Sequence, residues 1–181
     1  LFVQTPESFS KRFNIDIRVR EEVIKIIPET KTVEIKKINT NEVYKETYDK
    51  LVLSPGASPI KPPIAGIDNE RIFTMRNVPD TDKIKEFIDK NSPKRAVIVG
   101  AGFIGLEMAE NLYNKGIFVT IVEMAEQVMN VIDYEMAAAV HTHLKTKGVE
   151  FYLKDGVKEF KERQDKKIVI TLSSGKEILT D

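Results

Sequence analysis

The stretch AVIVGAGFIGLEMAENLYNKGIFVTIVE, from Ala96 to Glu123, narrows the possible folds more than any other part of the chain. A β-branched run meets three closely spaced glycines, an apolar segment with helical spacing follows, and a second β-branched run ends it. Strand, tight turn, helix and strand make a βαβ unit, whose strands lie parallel with a right-handed crossover. The pattern continues with a helix expected from about Asp133 to Lys147 and a third strand in VEFYL. The expected fold class is therefore α/β, with a Rossmann-like parallel βαβαβ core.

Each glycine in G-x-G-x-x-G has its own task. Gly100 permits the tight turn out of the first strand, Gly102 lets the main chain come close to a pyrophosphate, and Gly105 lets the helix pack against the sheet. The helix amino terminus then offers free N–H groups and a positive dipole end to phosphate. Ala109 and Gly116 are small where helix and strand approach. Glu123 ends the second strand about twenty residues on, where a carboxylate accepts hydrogen bonds from a ribose 2′-OH. Its charge repels a 2′-phosphate, and the following MAEQVMN has no arginine to bind one, so NAD(H) is favoured over NADP(H). In the plainer alternative the glycines only make a turn and Glu123 is a solvated strand end; the strand before and helix after weigh against it.

The flanks are read from their breakers. Thr5, Pro6 and Glu7 open a short helix ending near Asn14. From Ile15 to Ser54, the runs IDIRV, EVIKII, TVEIKKI and VYKETYDKLVLS predict an antiparallel meander with LVLS as a central strand. PGASPIKPPIAGI, from Pro55 to Ile67, has four prolines and two glycines and reads as a crossing between domains of residues 1–66 and 67–181. A helix starting at Asp80 places Ile84, Phe87 and Ile88 on one face. A second meander, VKEFKER, KKIVITLS and KEILTD, follows the βαβαβ core.

Composition excludes several classes. Lysine plus arginine and aspartate plus glutamate each number 28 in 181 residues, leaving no global basic field for nucleic acid or a membrane surface. Nothing resembles a signal peptide or a membrane span, so a cytoplasmic protein is expected. With no cysteine, the sequence carries no thiol chemistry, disulfide or thiolate zinc site. His141 and His143, two apart on an expected helix, point apart and read as solvated or capping residues, so no metal is expected. KEFKERQDKK reads as a solvated hairpin, and Met124, Met129 and Met136 as packing residues.

VGAGFIGLEMAE, together with LFVQTPESFSKRFNIDIRV, YDKLVLSPGASP and FTMRNVPDTDKIK in the same order, resembles the pyridine nucleotide-disulfide oxidoreductase family. The similarity is greatest to its coenzyme A disulfide reductase and NADH oxidase branch. The resemblance implies an FAD domain interrupted by an NADH domain, with hydride passing from NADH to flavin and then to a disulfide or oxygen. It implies that Gly100, Gly102, Ile104 and Gly105 hold the NADH pyrophosphate and Glu123 its ribose. Phe103 matches a residue covering the nicotinamide pocket, and Glu107 a carboxylate near nicotinamide and flavin. Ser54, Pro55, Gly56 and Ala57 match the segment where the chain passes FAD. The family's first glycine motif and redox cysteine would precede Leu1, while its returning strand and dimerisation domain would follow Asp181. A homodimer is thus implied for the whole protein, and FAD is not expected to stay bound to this stretch alone. An inactive NAD(H)-binding module and a flavin-free Rossmann dehydrogenase remain the alternatives.

Overall fold

The computed structural model describes residues 4–181. The chain forms two compact units divided between Gly56 and Ala57.

The first unit opens with helix α1 (Pro6–Phe13), where Ser8 N–H donates to Thr5 Oγ1 at 3.2 Å and Asn14 closes the last turn in the left-handed region. The antiparallel sheet β1 (Glu21–Ile27), β2 (Thr32–Lys37) and β3 (Val43–Thr47) follows in sequence order. Its core is the middle strand: Thr32, Val33 and Ile35 are buried, while β1 and β3 are mostly exposed.

Two expected strands are absent. Ile15–Val19 forms no ladder; its polar positions are engaged through side chains, with Arg18 donating to Asp16, Tyr44 and Glu46. Leu51–Ser54, expected as a central strand, is irregular, with Val52 84% and Leu53 65% exposed. Apolar, β-branched residues favour extended backbone, but a strand exists only where another backbone accepts and donates its hydrogen bonds. Among the described residues none does so here.

In the second unit, the proline-rich connection packs onto the later meander. Ala65 bridges Glu159, and Phe160 N–H donates to Ala65 O at 2.9 Å. Gly66 has φ +81°, and a Cβ there would overlap the Phe160 carbonyl. Helix α2 (Val78–Asn91) starts two residues before the expected Asp80 because Asn77 and Asp80 form a reciprocal capping box, with Pro79 in the first turn.

The parallel sheet is β4 (Arg95–Val99), β5 (Phe118–Val122) and β6 (Glu150–Tyr152), in that order. Helices α3 (Phe103–Asn114) and α4 (Tyr134–Thr146) make its crossovers. The antiparallel meander β7 (Val157–Glu162), β8 (Ile168–Leu172) and β9 (Glu177–Thr180) completes the unit. The period of two divides the parallel strands between two cores. Ala96, Ile98, Val119, Ile121 and Phe151 pack with Leu112 of α3, Leu144 of α4 and Ile88 of α2. Val97, Val122 and Tyr152 pack with Ile168, Ile170 and Leu172 of the meander. The sheet thus has helices on one face and the meander on the other, leaving the carboxyl ends of its strands to carry the glycine turn. No helix among the described residues is long and apolar enough to cross a membrane.

Candidate dinucleotide-binding site

The site is built where β4 turns into α3. Gly100 has φ +103°, and its N–H donates to Val122 O at 2.8 Å, so the turn begins as an extension of the β4–β5 pairing. Gly105 is packed internally: a Cβ would overlap the Gly100 carbonyl oxygen and lie 3.4 Å from Ile98 Cγ2. Gly102 is the opposite case. It caps α3 with φ −76°, which any residue adopts, and nothing lies within 4 Å of where its Cβ would stand. Among the described residues no side chain caps the helix and no acid occupies its first turn, which leaves its amino-terminal N–H groups without a side-chain acceptor.

Glu123 directly follows β5 and reaches back to this turn. Ala101 N–H donates to Glu123 Oε2 and Ala125 N–H to Oε1, each at 2.7 Å. The carboxylate therefore ties the glycine turn to the following loop, and each oxygen keeps acceptor capacity. Ala101 contributes a second tie, its carbonyl accepting from Met129 N–H at 2.9 Å. Phe103 and Ile104, 61% and 58% exposed, stand at the start of α3. Glu107 lies one turn beyond Phe103 on the same helix face, exposed and in no ion pair among the described residues.

The turn, α3 and the end of β5 thus bring together Gly100, Gly102, Phe103, Ile104, Gly105, Glu107 and Glu123. Ser54, Pro55, Gly56 and Ala57 are exposed and irregular, the first three in the first unit and Ala57 in the second. A cavity lined by Ile64, Gly66, Asn69, Phe160 and Glu162 includes none of these residues.

Three participants escape the glycine pattern. Ala101 and Ala125 act through backbone N–H groups, which have no signature in a side-chain pattern. His141 is half-buried on α4, stacked on Phe151 at 5.2 Å, and its Nε2 accepts from Val128 N–H at 3.1 Å. Burial, and then the charge of Lys145, holds the imidazole pKa below its ordinary value. His143 is exposed, and the described residues hold no cluster of metal-ligating groups.

A parallel sheet with a glycine turn at its carboxyl edge, helices on one face and a β-meander on the other defines a Rossmann-type α/β unit. The chain belongs to the pyridine nucleotide-disulphide oxidoreductase family, which it matches over residues 4–181. It is 36% identical over 171 residues to the coenzyme A disulfide reductase of Staphylococcus haemolyticus, covering 94% of this chain and 37% of that protein. The crystal structure of reduced Bacillus anthracis CoADR-RHD superposes with a TM-score of 0.89 at 56% identity, covering 99% of this chain and 32% of that one. The NADH-bound water-forming NADH oxidase of Lactobacillus brevis gives 0.89 at 28% identity, covering 99% and 39%. Its engineered NADPH-bound variant, in which an aspartate is replaced by alanine and two arginines are introduced, gives 0.88 at 28% identity, covering 100% and 39%. The chain spans a little over a third of the length of the curated relatives it matches.

Proposed function

We propose that this chain is the NADH-binding portion of an FAD-dependent disulfide reductase or NADH oxidase. In this reading residues 67–181 form the NADH domain and residues 1–66 part of the FAD domain, although the compact units divide earlier, between Gly56 and Ala57, with Ala65 already paired to Glu159. The whole protein, a cytoplasmic homodimer in this reading, delivers electrons to a small-molecule disulfide of the coenzyme A type or to oxygen. The 36% identity to the Staphylococcus haemolyticus coenzyme A disulfide reductase, against 28% to the NADH oxidase, favours the disulfide.

Gly102 carries the reading. Its backbone angle and its empty surroundings give the fold no reason to require glycine there, so the missing side chain serves a group from outside. A pyrophosphate drawn to the uncapped α3 terminus is such a group. Gly100 shapes the turn, Gly105 seats the helix, and Ile104 lies in the first helical turn beside the phosphates. Glu123, held by two N–H donors, offers its remaining lone pairs to the ribose hydroxyls and its charge opposes a 2′-phosphate. Met124 to Asn130 contain no lysine or arginine. The engineered NADPH oxidase supports this assignment: its replaced glycine and aspartate have the spacing of Gly105 and Glu123.

NADH supplies hydride when bound. The chain's own part would be to position and screen: the exposed Phe103 ring would cover a bound nicotinamide against water, and Glu107 would place a carboxylate beside it. Ser54, Pro55, Gly56 and Ala57 offer an exposed main-chain segment without a phosphate-binding turn. They fit a passing contact with FAD rather than its binding site.

Calorimetric titration of the full-length protein with NAD+ and NADP+ tests the reading. NAD+ is expected to bind at least tenfold more tightly, about 1.4 kcal/mol, and Glu123→Ala to narrow the difference. Equal or tighter NADP+ binding by the unsubstituted protein removes Glu123 from the site.

A further inference from the structure

We propose that His141 is a positioning residue for the dinucleotide: by accepting the Val128 N–H, it holds the loop after Glu123 in binding form only while the imidazole is neutral, so that affinity falls in acid. The inference rests on the dinucleotide reading above and adds a titratable support to that site.

Val128 is fully buried, and its N–H finds its acceptor in His141 Nε2 at 3.1 Å. A buried N–H is almost always paired, and only a neutral imidazole has a ring nitrogen free to accept. The next residue, Met129, is held at φ +49° and donates to Ala101 O, while Ala101 N–H donates to Glu123. The His141 bond is therefore two steps from the carboxylate that meets the ribose. Protonation would set one N–H against another in a buried place, loosening residues 125–129 and, through Ala101, the glycine turn.

Burial and the charge of Lys145 oppose the ring's protonation. On α4, Lys145 lies one turn away, its Nζ also 5.6 Å from the Phe151 ring, and His143 is exposed. From β6 comes the stacked, uncharged Phe151, beside an exposed Glu150. On the loop, the exposed Glu126 is paired with Lys154 at 3.1 Å. No carboxylate pairs with His141 among the described residues. Because folding lowers this pKa, the support is complete above the ordinary histidine value of about 6.5 and is lost as pH falls through the lower folded value.

The test measures NAD+ affinity of the full-length protein from about pH 8 to about pH 5, alongside the protection of the Val128 amide against exchange. The unsubstituted protein is expected to lose about fivefold in affinity over this range, with Val128 protection falling in parallel. His141→Gln, whose amide oxygen replaces the acceptor without titrating, should flatten both profiles. His141→Leu should bind about fivefold more weakly at the upper pH and show a flat profile. A Gln variant that keeps the original pH dependence, or a Leu variant with undiminished affinity, overturns the proposal. A protein that binds no NAD+ at any pH defeats the dinucleotide reading instead. Val128 protection then decides the His141 bond: a pH-dependent loss cured by Gln sustains it, and an unchanged profile refutes it.

Discussion

Gly102 and Gly105 belong to one sequence pattern but answer to different demands. Gly105 is required by the protein itself, since a Cβ would strike the Gly100 carbonyl, whereas Gly102 has open space and an ordinary backbone angle. Alanine substitutions should therefore separate. Gly105→Ala is expected to lower unfolding stability by about 1–3 kcal/mol by pushing α3 away from β4. The engineered NADPH oxidase carries glycine to alanine at the matching spacing, so the fold should survive the change. Gly102→Ala is expected to change stability by no more than about 1 kcal/mol, because the loss of glycine's advantage as a helix N-cap is offset by the lower entropy of the unfolded alanine chain, yet weaken NAD+ binding at least tenfold. Denaturant unfolding and calorimetry on the same two variants check both; a Gly102→Ala protein that binds NAD+ normally would return the motif to a purely structural role. The glycine spacing was legible in sequence because it is local. The His141 contact was not: its partner is a main-chain N–H in a loop, and a histidine facing such a donor has the same sequence signature as a solvated one.

At the scale of elements, helix limits followed from their caps. Thr5 and Asn14 bound α1 where capping chemistry puts them, and the Asn77–Asp80 box starts α2. Strands were less legible, as Leu51–Ser54 shows, because a ladder requires a partner that no local pattern contains. The approach of β9 to β4 is another such partnership. Asp181 Oδ2 accepts from Lys94 and Arg95 N–H at 2.8 and 2.9 Å, Oδ1 pairs with Lys167 at 2.9 Å, and Thr180 Oγ1 donates to Arg95 O. Burial pushes the Asp181 pKa up, but Lys167 and the two N–H donors together hold it below the ordinary value. A depressed carboxylate stabilises the fold above its unfolded pKa, about 3.9, and that stabilisation is lost as pH falls through the folded value. Thermal unfolding should therefore weaken below about pH 4 more steeply in the unsubstituted protein than in Asp181→Asn. Identical acid limbs would show that the carboxylate contributes nothing at this junction.

At the scale of the whole molecule, the second unit depends on two cores separated by one three-stranded sheet. Leu172 is fully buried in the core between sheet and meander, with Val122, Ile168 and Ile170. Leu172→Ala should lower stability by about 2–5 kcal/mol, measured by denaturant unfolding; a loss below about 1 kcal/mol would show that this core collapses around the gap. The sequence alone determined the α/β class, the order of strands and helices in the second unit, and the glycine turn with its distal acid. Those features arise from side-chain periodicity and from backbone freedoms that act over a few residues. Only tertiary structure decided which extended runs became strands, that Ala101 and Ala125 hold the Glu123 carboxylate, and that His141 supports Val128. These are pairings between distant segments, made through main-chain groups that every residue except proline carries alike, so their identity is settled by where the fold brings them rather than by which residues they are.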